Sequence, residues 1–108
     1  MAKGRSSDAR AIGREAYRTA RRVYGPDHNL TLALAHGYAF SLVHARQEAP
    51  RSDVVESSVL LTDAVKRLTR KLGANHPETQ RAANDLAMNR SMLKRMDSAG
   101  AEVLVYPK

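Results

Sequence analysis

The chain has 108 residues, no cysteine, and a formal net charge of +7 from 18 lysines and arginines and 11 acidic residues. A chain of this length forms one domain, because two pieces could not each bury a useful core. The absence of cysteine excludes disulfides, thiolate metal sites and thiol nucleophiles. The basic excess lies at both ends of the chain and favours acidic partners, whether protein, nucleic acid or an anionic surface.

The start of the chain lacks the apolar run of a secretory signal peptide, and no stretch is long and apolar enough to cross a bilayer. We therefore expect no membrane insertion and a cytoplasmic location. The arginines and serines near the start leave an organelle interior as the other location. We divide the chain into an N-terminal arm at 1–7, a helical repeat domain at 8–100 and a C-terminal tail at 101–108.

The first predicted helix runs from about Asp8 to Tyr24, where Gly25 and Pro26 end it. Its apolar residues recur at helical spacing. Another face carries a stripe of four arginines, namely Arg10, Arg14, Arg18 and Arg22. Such a stripe is either a solvated face or an anion-binding surface that reaches phosphates or carboxylates.

The second predicted helix, from about Asn29 or Leu30 to Ala45, is apolar almost all round. A helix of this kind belongs in the middle of a packed layer. Gly37 and the alanines around it would let neighbouring helices approach closely. A loop at Arg46–Ser52 follows, and it contains Pro50.

The third predicted helix opens with Asp53 as N-cap and Glu56 three residues later, which is the spacing of a capping box. It ends at Gly73. The fourth begins around Pro77, because proline at the first helical position has no amide to leave unpaired, and it stops at Gly100. The tail beyond forms either a strand or an apolar peg. The predicted central core comprises Leu34, Tyr38, Leu42, Leu61, Val65, Leu68 and Leu86.

The chain repeats itself at a shift of 48 residues, which superposes Gly25-x-x-His28-x-x-Thr31 on Gly73-x-x-His76-x-x-Thr79. The same shift aligns apolar pairs in the flanking helices, namely Ile12 with Leu60, Tyr24 with Leu72 and Tyr38 with Leu86. Repetition of helix pairs is typical of a solenoid, in which each unit buries its apolar face against its neighbours. The matching position of the two histidines predicts that both stabilise the start of a helix.

Two segments carry a family resemblance: Val23-Tyr-Gly-Pro-Asp-His-Asn-Leu-Thr-Leu, and Leu72-Gly-Ala-Asn-His-Pro-Glu-Thr-Gln with Asn84-Asp-Leu-Ala87 after it. They resemble tetratricopeptide repeats of the kinesin light chain type, which have a Leu-Gly-x-Asp-His-Pro-x-Thr turn followed by Asn-Asn-Leu-Ala. The resemblance covers about residues 12 to 96. It implies an all-α fold of antiparallel helical hairpins, stacked as a short tetratricopeptide-like solenoid of about four helices.

The phase of the repeat leaves both ends incomplete. In the family's convention an A helix precedes its B helix, so helices two and three form one repeat. Helix one is then a lone B helix and helix four a lone A helix. Because half-repeats leave apolar flanks uncovered, we expect a homo-oligomer or a subunit of a larger complex.

The A helices of tetratricopeptide arrays line the concave surface, so the resemblance implies a groove between helices two and four. Its residues would be His36, Phe40, His44, Arg81, Asn84, Met88 and Ser91. Their spacing of three to four residues places each set on one helix face. The implied partner is a protein with an acidic or extended segment, whose backbone Asn84 would bond and whose carboxylate Arg81 would pair with.

Residue patterns typical of catalysis and metal binding are missing from the sequence. His28, His36 and His44 are eight residues apart, whereas two imidazoles on one metal ion need a spacing of three or four. There is no nucleophile elbow, phosphate-binding glycine loop or paired-carboxylate site. We therefore expect a scaffold or adaptor without enzymatic activity or cofactor. The alternative is a small basic structural subunit of a larger assembly, such as a ribonucleoprotein, that binds nucleic acid through the arginine stripe.

Overall fold

The computed structural model describes residues 5–44 and 48–105 of the chain. The elements in order are α1 (Arg5–Tyr24), α2 (Asn29–His44), β1 (Glu48–Pro50), α3 (Arg51–Leu72), α4 (Pro77–Ala99) and β2 (Val103–Val105). Each helix packs against the next along the chain, α1 on α2, α2 on α3 and α3 on α4. This confirms the predicted all-α class and the tetratricopeptide-like arrangement of four helices. The division at residues 7 and 100 into arm, domain and tail stays a prediction.

The two repeated turns have the same local structure. Gly25 has φ +90° and Gly73 has φ +94°, values that only glycine adopts without strain, so each ends its helix. Three residues later, Nδ1 of His28 and Nδ1 of His76 each accept a hydrogen bond of 3.1 Å from the backbone amide two residues further on. A free amide of each new helix is thereby bonded. The predicted role of the two histidines at helix starts is confirmed.

The C-terminal tail pairs with the segment that precedes α3. Strands β1 and β2 are antiparallel, with Glu48 opposite Val105 and Pro50 opposite Val103. The amide of Arg51 donates to the carbonyl of Glu102 at 2.7 Å and continues the pairing. Of the two alternatives for the tail, the structure has the strand. The predicted loop at residues 46–52 is wrong from residue 48 onward, because a strand partner from the other end of the chain orders it; residues 46 and 47 lie outside the described part.

The start of α3 differs from the prediction. The helix begins at Arg51 with Pro50 as its N-cap and without a side-chain cap, so the capping box of Asp53 and Glu56 is wrong. Pairing with the tail moves the N-cap from the predicted Asp53 to Pro50, three residues earlier, and both carboxylates bond to other helices instead. Asp53 Oδ2 lies 2.7 Å from Nη1 of Arg10, and Glu56 Oε2 accepts a hydrogen bond of 2.7 Å from the hydroxyl of Tyr38.

The core consists of two apolar clusters that lie at the junctions of α2, α3 and α4. One contains Leu32, Ala39, Leu61, Leu68, Ala82 and Leu86, and the other Tyr38, Leu42, Val43, Ala49, Val54, Met92 and Met96. The predicted core residues belong to these clusters with two exceptions. Leu34 and Val65 are only half-buried, because each stands beside, not within, the buried stripe of its helix.

Two buried hydrogen bonds cross the core and hold α2, α3 and α4 in register. The side-chain amide of Asn89 donates to Oγ of Ser57 at 2.9 Å, and Ser57 in turn donates to the carbonyl of Ala39 at 2.7 Å. Buried polar groups of this kind are costly to leave unpaired. These two hydrogen bonds therefore fix the position of α2 relative to α4.

Candidate functional site

A hydrogen-bonded pair joins α2 to α4 at the surface that the two helices share. Nε2 of His36 lies 2.6 Å from Oδ2 of Asp85, and the two side chains are 27% and 29% exposed. The pair brings one predicted groove residue, His36, against α4. Asp85 was missing from the predicted groove, although it stands next to Asn84 in the motif that carries the family resemblance. Its charge opposite a histidine on the other helix could not be read from local sequence.

Large apolar side chains lie one turn beyond this pair on each helix. Phe40 is 53% exposed and follows His36 by one turn on α2, while Met88 is 48% exposed and follows Asp85 by one turn on α4. The ring of Phe40 stacks on that of His44, with centroids 4.3 Å apart and planes 29° from parallel. These side chains give this end of the surface an apolar character.

His44 is held in its neutral form by its surroundings. Burial lowers the pKa of His44 below its ordinary value of 6.5, and the charge of Asp85 opposes this shift in part. Because desolvation disfavours the charged imidazolium, the ring stacked on Phe40 is uncharged near neutral pH. It therefore adds a flat, uncharged surface.

A small pocket of about 180 Å³ lies on the other side of the His36 and Asp85 pair. Leu32, Ala33 and Leu68 are its apolar lining, and His36, Glu78 and Arg81 are its polar lining. Arg81 is exposed, so its guanidinium is available to an incoming carboxylate. The surface thus has a cationic group at one end and exposed apolar groups at the other.

Two predicted groove residues lie at the outer border of this surface. Asn84 and Ser91 are both exposed. On α4, Arg81, Asp85 and Met88 follow one another at helical spacing on the side towards α2, whereas Asn84 and Ser91 are rotated away from it. Ser91 instead borders a shallow basic depression with Lys94, Arg95, Ser98 and Ala99.

The arginine stripe of α1 is divided by the packing. Arg10 forms the 2.7 Å ion pair with Asp53 described above, and Nε of Arg14 donates to the hydroxyl of Tyr38 at 3.2 Å. Burial raises the pKa of Tyr38, so its phenol stays neutral and passes the hydrogen bond on to Glu56. Arg14, Arg18 and Arg22 are exposed, whereas Arg10 is half-buried. Half of the stripe therefore stabilises the contact of α1 with α2 and α3.

Within residues 5–44 and 48–105, no group of three or more histidine and acidic side chains is arranged to hold a metal ion. Over the same residues, none of the helices combines the length and the apolar character that a membrane span requires.

Residues 1–30 match the family model of the tetratricopeptide repeat. The matched range extends over the turn at Gly25–His28 to Leu30, the first of the two repeated turns. The match does not distinguish the kinesin light chain type from other types. No curated protein and no solved structure matches the chain. The family match and the four packed helices together support a tetratricopeptide repeat in this protein.

Proposed function

We propose that this chain is a non-enzymatic protein-binding module, a scaffold or adaptor, which binds an acidic or extended segment of a partner along the face shared by α2 and α4. The observation that carries the proposal is the pair of exposed apolar side chains, Phe40 and Met88, beside the hydrogen-bonded His36 and Asp85. Covering these two side chains removes apolar area from water, which favours binding. Tetratricopeptide repeats typically bind proteins, which supports the same conclusion.

The distance between the cationic and apolar ends defines the kind of segment that fits. Arg81 and Met88 are two turns apart on α4, which is about 10 Å along the helix axis. An extended peptide covers that distance in about three residues. We therefore propose a partner segment with a carboxylate about three residues from a large apolar side chain. The carboxylate would pair with Arg81, and the apolar group would lie on Phe40 and Met88.

The alternative, a basic structural subunit that binds nucleic acid through Arg10, Arg14, Arg18 and Arg22, is less well supported. Arg10 is paired with Asp53, and Arg14, although exposed, donates to Tyr38, so contact of either arginine with a phosphate would compete with a bond inside the protein. Affinity for nucleic acid depends on the number of phosphates neutralised, so this competition at two of the four arginines weakens the stripe as a nucleic-acid site. We therefore favour the groove as the binding site. We also propose that the protein is cytoplasmic.

Peptides selected from a random library on the intact, immobilised chain would test the proposal. We expect the selected peptides to share an acidic residue and a large apolar residue at the stated spacing. Arg81→Ala should weaken the binding of these peptides by about 1 to 3 kcal/mol, the usual loss for a charge-assisted hydrogen bond. Phe40→Ala should also weaken binding, whereas the control Arg18→Ala should not. Peptides that depend on Arg18 and tolerate both groove variants would contradict the proposal.

A further inference from the structure

The outer face of α1 exposes two large apolar side chains. Ile12 is 68% exposed and Val23 is 59% exposed. They stand about three turns apart, nearly in line along the helix, so they share one face. This face is turned away from the one that contacts α2, on which Gly13 approaches Tyr38 and Ala20 is buried. Within the described residues, no helix covers it.

The internal repeat shows what covers the corresponding face elsewhere in the same chain. At the shift of 48 residues, Ile12 corresponds to Leu60 and Val23 to Lys71 of α3. Leu60 is half-buried against both core clusters, and Nζ of Lys71 donates to the carbonyl of Asp27 at 2.6 Å. This face of α3 is therefore covered by α2 and by the turn that precedes α2.

Charged side chains beside the covered face of α3 are paired with the turn that precedes α2. The guanidinium of Arg67 donates to the Asp27 carboxylate at 2.9 Å and lowers the pKa of that carboxyl, and the charge of Arg70 lowers it further. Arg70 corresponds to Arg22 of α1, which is exposed. A helix that packed on α1 as α2 packs on α3 would therefore place the turn at its start beside a free cation, where a carboxylate is favoured.

We propose that the outer face of α1 binds an amphipathic helix of another protein, which lies against Ile12 and Val23 as α2 lies against α3. The occupant has small and apolar residues on the face towards α1. It also has a carboxylate at its N-terminal turn, opposite Arg22. The bound helix takes the position relative to α1 that α2 has relative to α3, and it uses a surface separate from the groove of α2 and α4.

A second copy of this chain does not fit the same position. The helix of a second copy that corresponds to α2 in the repeat is α4, whose residues corresponding to Ala39 and Leu42 are Ala87 and Arg90. Both are exposed, and Lys94 follows one turn later. Stacking α4 of one copy on α1 of the next in this way would turn Arg90 towards the apolar face of α1 and would place Asn75, which corresponds to Asp27, opposite Arg22. A charged group would then be buried and no carboxylate would face the cation, which is unfavourable.

A synthetic peptide with the sequence of residues 25–44, stapled to keep it helical, is the probe for this site. Its affinity for the intact chain is measured by fluorescence anisotropy. We expect binding that Ile12→Asp with Val23→Asp weakens at least about tenfold, since a carboxylate then faces apolar groups. Both positions are exposed, so the double variant should keep its helical circular dichroism. The matched control Val59→Asp, at a valine of α3 that is 65% exposed, should leave binding unchanged.

A charge exchange provides the second test. Arg22→Glu should weaken the peptide, and a peptide carrying Asp27→Lys should bind the Arg22→Glu chain better than the original peptide does. Failure of the original peptide to bind the unmodified chain would overturn the proposal. So would an equal loss with Val59→Asp, or with Phe40→Ala in the groove. Sedimentation that shows dimers of the unmodified chain, dissociated by Ile12→Asp, would identify a second copy as the occupant and would also overturn it.

Discussion

The side-chain amide of Asn89 donates a hydrogen bond to the hydroxyl of Ser57 across 2.9 Å, at a point where both residues are almost fully buried. Asn89→Ala leaves the hydroxyl without its donor and opens a small void. We expect a loss of about 1 to 3 kcal/mol in the free energy of unfolding, measured in urea. Asn84→Ala, at an exposed asparagine of the same helix, is the control and should change stability by less than about 0.5 kcal/mol. Equal effects at both positions would show that the buried bond contributes little.

Substitutions of Leu61 and Leu68 test which face of α3 is buried. They are 1% and 4% exposed in the core cluster that joins α3 to its neighbours. Leu61→Ala or Leu68→Ala should each reduce stability by about 2 to 5 kcal/mol, the range for a buried leucine. Thermal or urea unfolding gives the measurement. Val59→Ala on the exposed side of the helix should have little effect, and comparable losses at all three positions would contradict this packing.

Two glycines should respond in opposite ways to alanine. At Gly37 an added Cβ meets nothing within 4 Å, so the interpretation that this glycine allows close helix approach is wrong. The close approach is at Gly13, where a Cβ would lie 3.4 Å from Cδ1 of Tyr38. Gly37→Ala should stabilise the protein by about 0.5 to 1 kcal/mol, because alanine is the better helix former. Gly13→Ala should gain less or lose stability. A larger gain at Gly13 in thermal unfolding would refute the assignment.

His44 should make stability depend on pH. Because burial lowers its pKa below 6.5 in the folded protein, the unfolded chain binds the proton more readily. The stabilisation of the neutral ring is present above the unfolded pKa and is lost as the pH falls below about 6.5. Unfolding free energies compared at neutral pH and at about pH 5 should fall more for the unmodified chain than for His44→Gln. An identical fall in both proteins would exclude this contribution.

Salt should distinguish the groove from the arginine stripe. If an acidic peptide binds the groove, Arg81→Ala with Phe40→Ala should weaken its binding, and added salt should weaken its binding only modestly. If nucleic acid binds α1, Arg18→Ala with Arg22→Ala should be the damaging pair, and affinity should fall steeply with salt as condensed counterions are released. Titrations of both double variants at two salt concentrations measure the difference. A loss confined to Arg18 and Arg22 would end the adaptor proposal.

Local chemistry allowed the helices to be predicted from the sequence. Gly25 and Gly73 end their helices through backbone conformation, and His28 and His76 bond the free amides of the next helices within two residues. These signals act over a single turn, so they need no knowledge of packing. The periodic apolar positions also predicted most of the core, because burial follows the stripe of each helix.

Contacts between distant residues were decided only by the tertiary structure. Pairing of β1 with β2 moved the start of α3 to Arg51, which released Asp53 for Arg10 and Glu56 for Tyr38. In the candidate groove, Asp85 joins His36 across helices, a contact between residues 49 positions apart. Sequence patterns determine which face of a helix is polar, but the partner of each charged group depends on how the helices are rotated and offset when they pack.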